Sequence, residues 1–289
     1  VLSHAKALRE HAMRRRVIGL AQESINKVSE LEPINSVVED LQQSLYRLTQ
    51  RQSSSVRWLS DTPMEHFDEI VGVKTGFHDL DWLHMEKGSM IVVGGRPSMG
   101  KTAFCLKVAL NNAKAAVPVL IYSLEMSHRQ VARRLVSMHD NIPLAELRKG
   151  KMKGAISDTV LALPIAVDES GGLSIQRLRS TTRRMIEQFH IGLVIIDYLQ
   201  LMTAGTDGNE YERITQLSLG IKNTAKDLAI PIMVACQLNR KLESGTDKKP
   251  SMADLRGSGA IEQDADVILF PYRPYVYDKQ KHATSDASV

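Results

Sequence analysis

IVVGGRPSMGKTAF, residues 91–104, passes from an apolar run into two glycines and a proline and then into Gly100-Lys101-Thr102. From Gly95 to Thr102 it fits G-x-x-x-x-G-K-[ST] in full. In that motif glycines let backbone amides curl around phosphate oxygens. The lysine, Lys101, places a point charge on the β and γ phosphates, and Thr102 offers a hydroxyl to Mg²⁺. A helix that starts here turns its amino end towards the anion. Gly95, Arg96, Pro97, Ser98, Met99, Gly100, Lys101 and Thr102 are therefore the candidate nucleotide contacts, with ATP and Mg²⁺ as the implied cofactors. A glycine-rich turn matching by chance is the alternative, and the flanking apolar run and helical pattern argue against it.

Working outward, short β-branched runs alternate with helical patterns from about Gly72. The runs are MIVVGG (90–95), VPVLIYSLE (117–125), PIAVDES (164–170), LVIIDYLQL (193–201), PIMVACQL (231–238) and DVILFPY (266–272). Amphipathic stretches lie between them, such as SIQRLRSTTRRMIEQF (174–189) and YERITQLSLGIKNTAKDLA (211–229). Continuous apolar strands separated by helices predict an α/β fold with a mainly parallel sheet covered on both faces. In such sheets ligands gather at the carboxyl ends of the strands, so the residues standing there carry the function.

Glu125 ends the second run. It is placed either to polarise an attacking water beside a γ-phosphate or to serve as an acid at a helix start. The fourth run ends in Asp197, the Walker B pattern, an aspartate that holds Mg²⁺ with Thr102. The fifth ends in Gln237, either a γ-phosphate sensor or a polar cap on the strand. Beyond it, Asp254-Leu-Arg256-Gly257-Ser258-Gly259 sets an arginine among glycines. That loop suits a nucleic-acid phosphate, gripped by backbone N–H groups and a guanidinium, or else a flexible surface turn. No aromatic residues are interleaved there, so base stacking is not expected.

The first 50 residues read as all-helical. Leu8, Ala12, Val17, Ala21, Ile25 and Val28 share a stripe over roughly 3–30, and Ile34, Val37, Val38, Leu41, Leu45 and Leu48 fall three or four apart. Pro33 suits the first turn of the second helix. LEPIN separates the two into a hairpin, whose core is small for independent stability. RQSSSVRWLSDTP (51–63) has linker composition, and MEHFDEIVGV (64–73) suits a short helix. The expected division is a helical hairpin over 1–50, a linker over 51–71 and a catalytic domain over 72–289.

Of 289 residues, 43% are hydrophobic and 24% charged, with a net charge of +4. Ordinary globular composition and a mild positive balance are compatible with nucleic acid without requiring it. No apolar run approaches the roughly 20 residues of a membrane span, and the charged start carries no signal peptide. Cys105 and Cys236 both lie in apolar segments, which predicts buried, reduced thiols and a cytoplasmic setting. The first residue is Val, so a fragment of something longer is expected.

GRPSMGKT, SLEM, IDYLQLM, QLNR and DLRGSGAIEQDAD together resemble the DnaB family of hexameric replicative helicases, in the family's order and spacing over about residues 72–272. The resemblance implies a RecA-like P-loop motor. It implies Glu125 as catalytic base, Asp197 as the Walker B residue and Gln237 as γ-phosphate sensor. Arg134 matches a family arginine near the nucleotide, with Arg133 adjacent. Arg256, Gly257 and Gly259 match the loop that grips single-stranded DNA in the central channel, and AGTDGNEYE (204–212) looks like the other mobile loop. Implied partners are single-stranded DNA, five further copies in a homo-hexamer, primase and a helicase loader, with 5′ to 3′ translocation and no membrane. Two departures stand out. LDWLHMEKGSM keeps only Gly88 of a glycine-rich run, and HATSDASV is unlike the basic segment that reaches into a neighbour's ATP site. The family's arginine finger, carried on that segment, is therefore expected outside these residues, and Arg273 is not assigned to it. The competing readings are a RecA-type strand-exchange ATPase and an ATP-binding ring scaffold with little hydrolysis.

Overall fold

The computed structural model describes residues 2–49, 72–83, 85–149, 158–204, 209–239, 249–255 and 258–276. The chain divides into two compact units, Val1–Glu69 and Ile70–Val289.

In the first unit, helix α1 (Leu2–Ser29) and helix α2 (Ile34–Thr49) pack as a hairpin. The carbonyl of Pro33 accepts from the N–H groups of Ser36 and Val37, so proline stands just ahead of the helix rather than within its first turn. Val37 is buried, whereas Val17, Ile25 and Val28 of the expected stripe stay exposed, as do Ile34 and Val38. Two helices meet along a narrow seam, and apolar residues outside it remain in water. Residues 51–71, with the expected linker and nearly all of the expected short helix, lie outside the described residues.

Among the described residues the second unit has six strands: β1 (Met90–Gly95), β2 (Val119–Ser123), β3 (Ile165–Asp168), β4 (Leu193–Asp197), β5 (Ile232–Gln237) and β6 (Val267–Leu269). Their spatial order is β3-β2-β4-β5-β1-β6, and each described pairing between them is parallel. Every expected run contains its strand, each shorter than or equal to the run. The ends of LVIIDYLQL and DVILFPY leave the sheet.

The connecting helices are α3 (Lys101–Lys114), α4 (His128–Asp140), α5 (Leu144–Arg148), α6 (Asp158–Leu161), α7 (Ile175–Phe189), α8 (Glu210–Leu228) and α9 (Ser258–Asp264). Strand residues alternate between two cores. Ile91, Val93, Ile121, Ile195, Met233 and Ala235 join Phe104, Val108 and Leu110 of α3 and Val131 and Leu135 of α4. Met90, Val92, Tyr122, Val194, Ile196, Val234 and Cys236 join Leu178 of α7, Ile214, Leu217 and Ile221 of α8 and Ile261 of α9. Each fully buried aliphatic side chain contributes about 1.5–3 kcal/mol relative to exposure.

Local chemistry sets the helix ends. Ser127 and Gln130 form a capping box at α4, Asn209 and Glu212 another at α8, and Ser174 caps α7. Gly220 lets α7 and α8 approach closely: a Cβ there would stand 2.7 Å from Cγ1 of Ile175. Among the described residues no helix is long and apolar enough to cross a membrane.

Candidate active site

β1 is an interior strand, and the next strand in sequence, β2, lies three places away across β5 and β4. The chain therefore leaves the carboxyl end of β1 at a crossing point, where ligand sites form in open parallel sheets. Residues 96–100 make the turn. Gly100, in a left-handed conformation at φ 97°, caps α3 and its carbonyl accepts from Phe104 N–H. Ser98 is also left-handed, at φ 67°. Pro97 and Ser98 are exposed. Met99 is buried, so its side chain belongs to the interior and its backbone alone faces the turn.

Lys101 begins α3 and folds back over the loop. Its ammonium donates to the Gly95 carbonyl at 2.6 Å and to the Arg96 carbonyl at 3.4 Å. Burial lowers its pKa, while the charge of Asp197 opposes that shift. The Arg96 guanidinium is buried and turned inward, donating to the Leu238 carbonyl at 3.5 Å. Its side chain serves the carboxyl end of β5, just past Gln237, and leaves the turn to its backbone.

Asp197 closes β4, two strands from β1, and is 5% exposed. The Thr102 hydroxyl is close enough to its carboxylate to favour the charged form. Burial pushes the Asp197 pKa above the ordinary carboxylate value and the charge of Glu125 adds to this. The Thr102 hydroxyl and the charges of Lys101 and Arg134 act against it. One oxygen, Oδ1, is buried without a hydrogen-bond partner. A carboxylate oxygen left bare in the interior costs about 1–3 kcal/mol or more unless a cation or donor meets it. The donor set of Thr102 Oγ1 and Asp197 Oδ1 therefore fits a hard divalent cation that keeps much of its water. Among the described residues no group of three or more His, Cys, Asp and Glu forms a metal cage.

Glu125 follows β2 and is exposed. Its charge acts on Asp197, Lys101 and Tyr198, so it stands at the same site. Helix α4 is capped by Ser127, two residues on, and its His128 N–H is met by the Glu169 carboxylate. The N–H groups of Ser127, His128 and Gln130 thus have partners other than Glu125. Arg134, on α4, acts on Asp197.

Gln237 ends β5 in register with Gly95, directly beside the start of the loop. A neighbour that sequence reasoning passed over holds it. Gln200 accepts from the Gln237 N–H at 3.2 Å and donates to the Gln237 carbonyl at 3.3 Å. Its amide also lies 3.2 Å from Cys236 Sγ. The available signal was a lone polar residue in YLQLM, three positions after Asp197. One residue past Gln237, Leu238 forms an antiparallel bridge with Leu255, and Asn239 N–H donates to the Asp254 carbonyl at 2.8 Å. Arg256 and Gly257 lie outside the described residues. Gly259 is exposed in the first turn of α9, where an added Cβ would stand 3.6 Å from the Tyr211 hydroxyl. Of the other expected loop, residues 205–208 lie outside the described residues, and Asn209 caps α8.

Cys105 and Cys236 are free and buried. Burial raises both thiols, Cys236 to about 11.

The family model for the DnaB-like helicase C terminal domain matches residues 72–289. A probable replicative DNA helicase of Trieres chinensis is 36% identical over 300 residues, covering 95% of this chain and 66% of that protein. The replicative DNA helicase DnaC of Bacillus subtilis is 32% identical over 304 residues, again covering 66% of its length. This chain thus spans slightly less than two thirds of either relative. Among solved structures, an ATPase domain superposes with a TM-score of 0.70 at 32% identity, over 75% of this chain and 82% of that one. A DnaB-like replicative helicase, solved in a study of its interactions with primase, gives 0.78 at 28% identity over 99% of this chain and 70% of that one. With a phosphate loop, a strand-end aspartate and a RecA-like parallel sheet in the matched segment, the chain belongs to the DnaB-like helicase family.

Proposed function

We propose that this protein is an ATP-driven replicative DNA helicase, moving 5′ to 3′ on single-stranded DNA as a homo-hexamer. The observation that carries the reading is Asp197 at the end of β4: one carboxylate oxygen, Oδ1, is buried without a hydrogen-bond partner, and Thr102 and Lys101 of the phosphate loop both act on that carboxyl.

In this reading the 95–102 loop holds the ATP phosphates, and Thr102 and Asp197 hold Mg²⁺. A bound Mg²⁺ supplies charge neutralisation of the β and γ phosphates. Lys101 leaves the Gly95 carbonyl for the phosphates. Glu125 orients water and accepts its proton, and Arg134 adds positive charge on the α4 side. Gln237, clamped at its backbone by Gln200, has its side chain left to meet the γ-phosphate. Loss of that phosphate is then felt at the end of β5. The Leu238–Leu255 bridge supports a short route from there to Arg256, Gly257 and Gly259, which grip the DNA backbone without reading sequence.

The hairpin is assigned as the end of an amino-terminal domain, 51–71 as the linker and 72–289 as the motor. The exposed Val17, Ile25 and Val28 favour docking on neighbouring copies. Primase and a loader are the proposed partners, and the replication fork in the cytoplasm is the proposed setting. The test is hydrolysis with and without single-stranded DNA, together with unwinding of a forked duplex. Helicase action requires DNA-stimulated turnover and strand separation. Nucleotide-dependent assembly without stimulated turnover would establish the scaffold instead.

A further inference from the structure

A cleft of about 180 Å³ opens between the turn after β2 and helices α4 and α5. It is lined by Met126, Gln130, Arg133, Arg134, Leu144 and Arg148. Three of those six side chains are guanidiniums, and none is a carboxylate. Two nearby acids are engaged elsewhere, Glu146 with Lys149 at 2.7 Å and Glu169 at the His128 N–H, while Asp197 faces Arg134 from the nucleotide side and Glu125 stands just before Met126. Guanidiniums gathered in one concavity repel each other, and Met126 and Leu144 lower the polarity around them, which strengthens that repulsion. Such an arrangement is relieved by an anion. Guanidinium forks match the tetrahedral oxygens of phosphate, and three positive charges suit a dianion better than a single carboxylate.

Size narrows the ligand further. Pockets for drug-sized molecules run to roughly 300–1,000 Å³. A cleft of about 180 Å³ is too small for a nucleotide and ample for a small oxyanion. Its position narrows it again, because Met126 directly follows Glu125 and Arg134 acts on Asp197.

We infer that the Arg133–Arg134–Arg148 cleft is a second anion site, which binds inorganic phosphate beside the nucleotide site. Its role as a holding place for the phosphate released by hydrolysis rests on the helicase reading above. Binding of phosphate as such does not.

The experiment follows thermal unfolding of the full chain in rising inorganic phosphate, at constant ionic strength with chloride and with saturating Mg·ADP to fill the 95–102 loop. The expected result is a saturable rise in Tm, about 2–4 °C at roughly five times the dissociation constant. R133Q/R148Q keeps its fold and its response to Mg·ADP but loses the phosphate response. Each single variant gives an intermediate shift. An equal phosphate response in the double variant, or no response in the wild type, overturns the site. A double variant that changes self-association while phosphate does nothing assigns the cleft to an acidic side chain of a second copy and overturns it equally. Hydrolysis is measured separately. A chain without turnover that still shows the arginine-dependent shift refutes the helicase reading alone.

Discussion

The Lys101 ammonium donates to the Gly95 carbonyl at 2.6 Å, so the last cation of the phosphate loop is held by the loop's first residue. A bound phosphate must draw the ammonium away from that carbonyl. Lys101→Ala is expected to reduce hydrolysis roughly 10²–10³-fold, the scale for losing one donor to a developing charge. Because burial partly desolvates the ammonium, Tm without nucleotide should stay level. Turnover and Tm measured together check this, and a large fall in Tm would show the lysine to be mainly structural.

Asp197 titrates above its ordinary value because it is buried. Between the unfolded pKa and the raised folded one, the folded state binds more protons than the unfolded state. Stability therefore falls as pH rises through that window, and the deficit persists at neutral pH. Asp197→Asn removes the titration and leaves an acceptor oxygen beside Thr102. Without nucleotide, Tm of the variant should equal or exceed wild type at pH 7–8, and the difference should vanish below about pH 4. Mg²⁺-dependent hydrolysis should be lost. Melting curves across pH check the sign.

Glu125→Gln should bind nucleotide as wild type does, while hydrolysis falls by about 10²–10⁴-fold. The α4 cap belongs to Ser127, so Tm should not change. Unaltered turnover in single-turnover assays would remove Glu125 from the chemistry.

Gln200→Ala leaves the N–H and carbonyl of Gln237 without this partner. At a part-buried position the cost is about 1 kcal/mol, or about 2–4 °C in Tm. If Gln200 positions Gln237 for the γ-phosphate, kcat and its stimulation by DNA also fall while nucleotide affinity holds. A drop in Tm with the stimulation ratio intact would mean that Gln200 only packs.

Arg256→Ala should weaken single-stranded DNA binding alike across sequences and reduce the salt slope by about one. Binding titrations at several salt concentrations check this, and an unchanged slope places the DNA elsewhere.

Much of the α/β unit was legible because its signals are local. MIVVGG gives β1 from Met90 to Gly95 without adjustment, and LVIID gives β4 with Asp197 at its tip, since a strand buried on both faces has to be continuously apolar. The phosphate loop was legible because its glycine at 100 is required by a left-handed backbone. Long-range pairing was not legible. Nothing in the spacing of YLQLM says that Gln200 folds onto Gln237, or that Arg96 points to Leu238, because periodicity carries no information about which strand lies beside which. The α1 stripe was misleading in the opposite way: its period was right, yet Val17, Ile25 and Val28 remain exposed within a two-helix seam.

The last residue of β3 and the one after it face opposite layers of the domain. Asp168 takes a two-pronged contact from Arg177 of α7 at 3.0 and 3.1 Å, and Glu169 meets the first N–H of α4. In mechanical terms, one rim of the sheet is riveted through. A tilt of α4, which follows Glu125 and carries Arg133 and Arg134, pulls on the same two-residue pin that holds α7. Two consecutive residues at this rim thus pin one helix on each face of the sheet, α7 through Asp168 and α4 through Glu169.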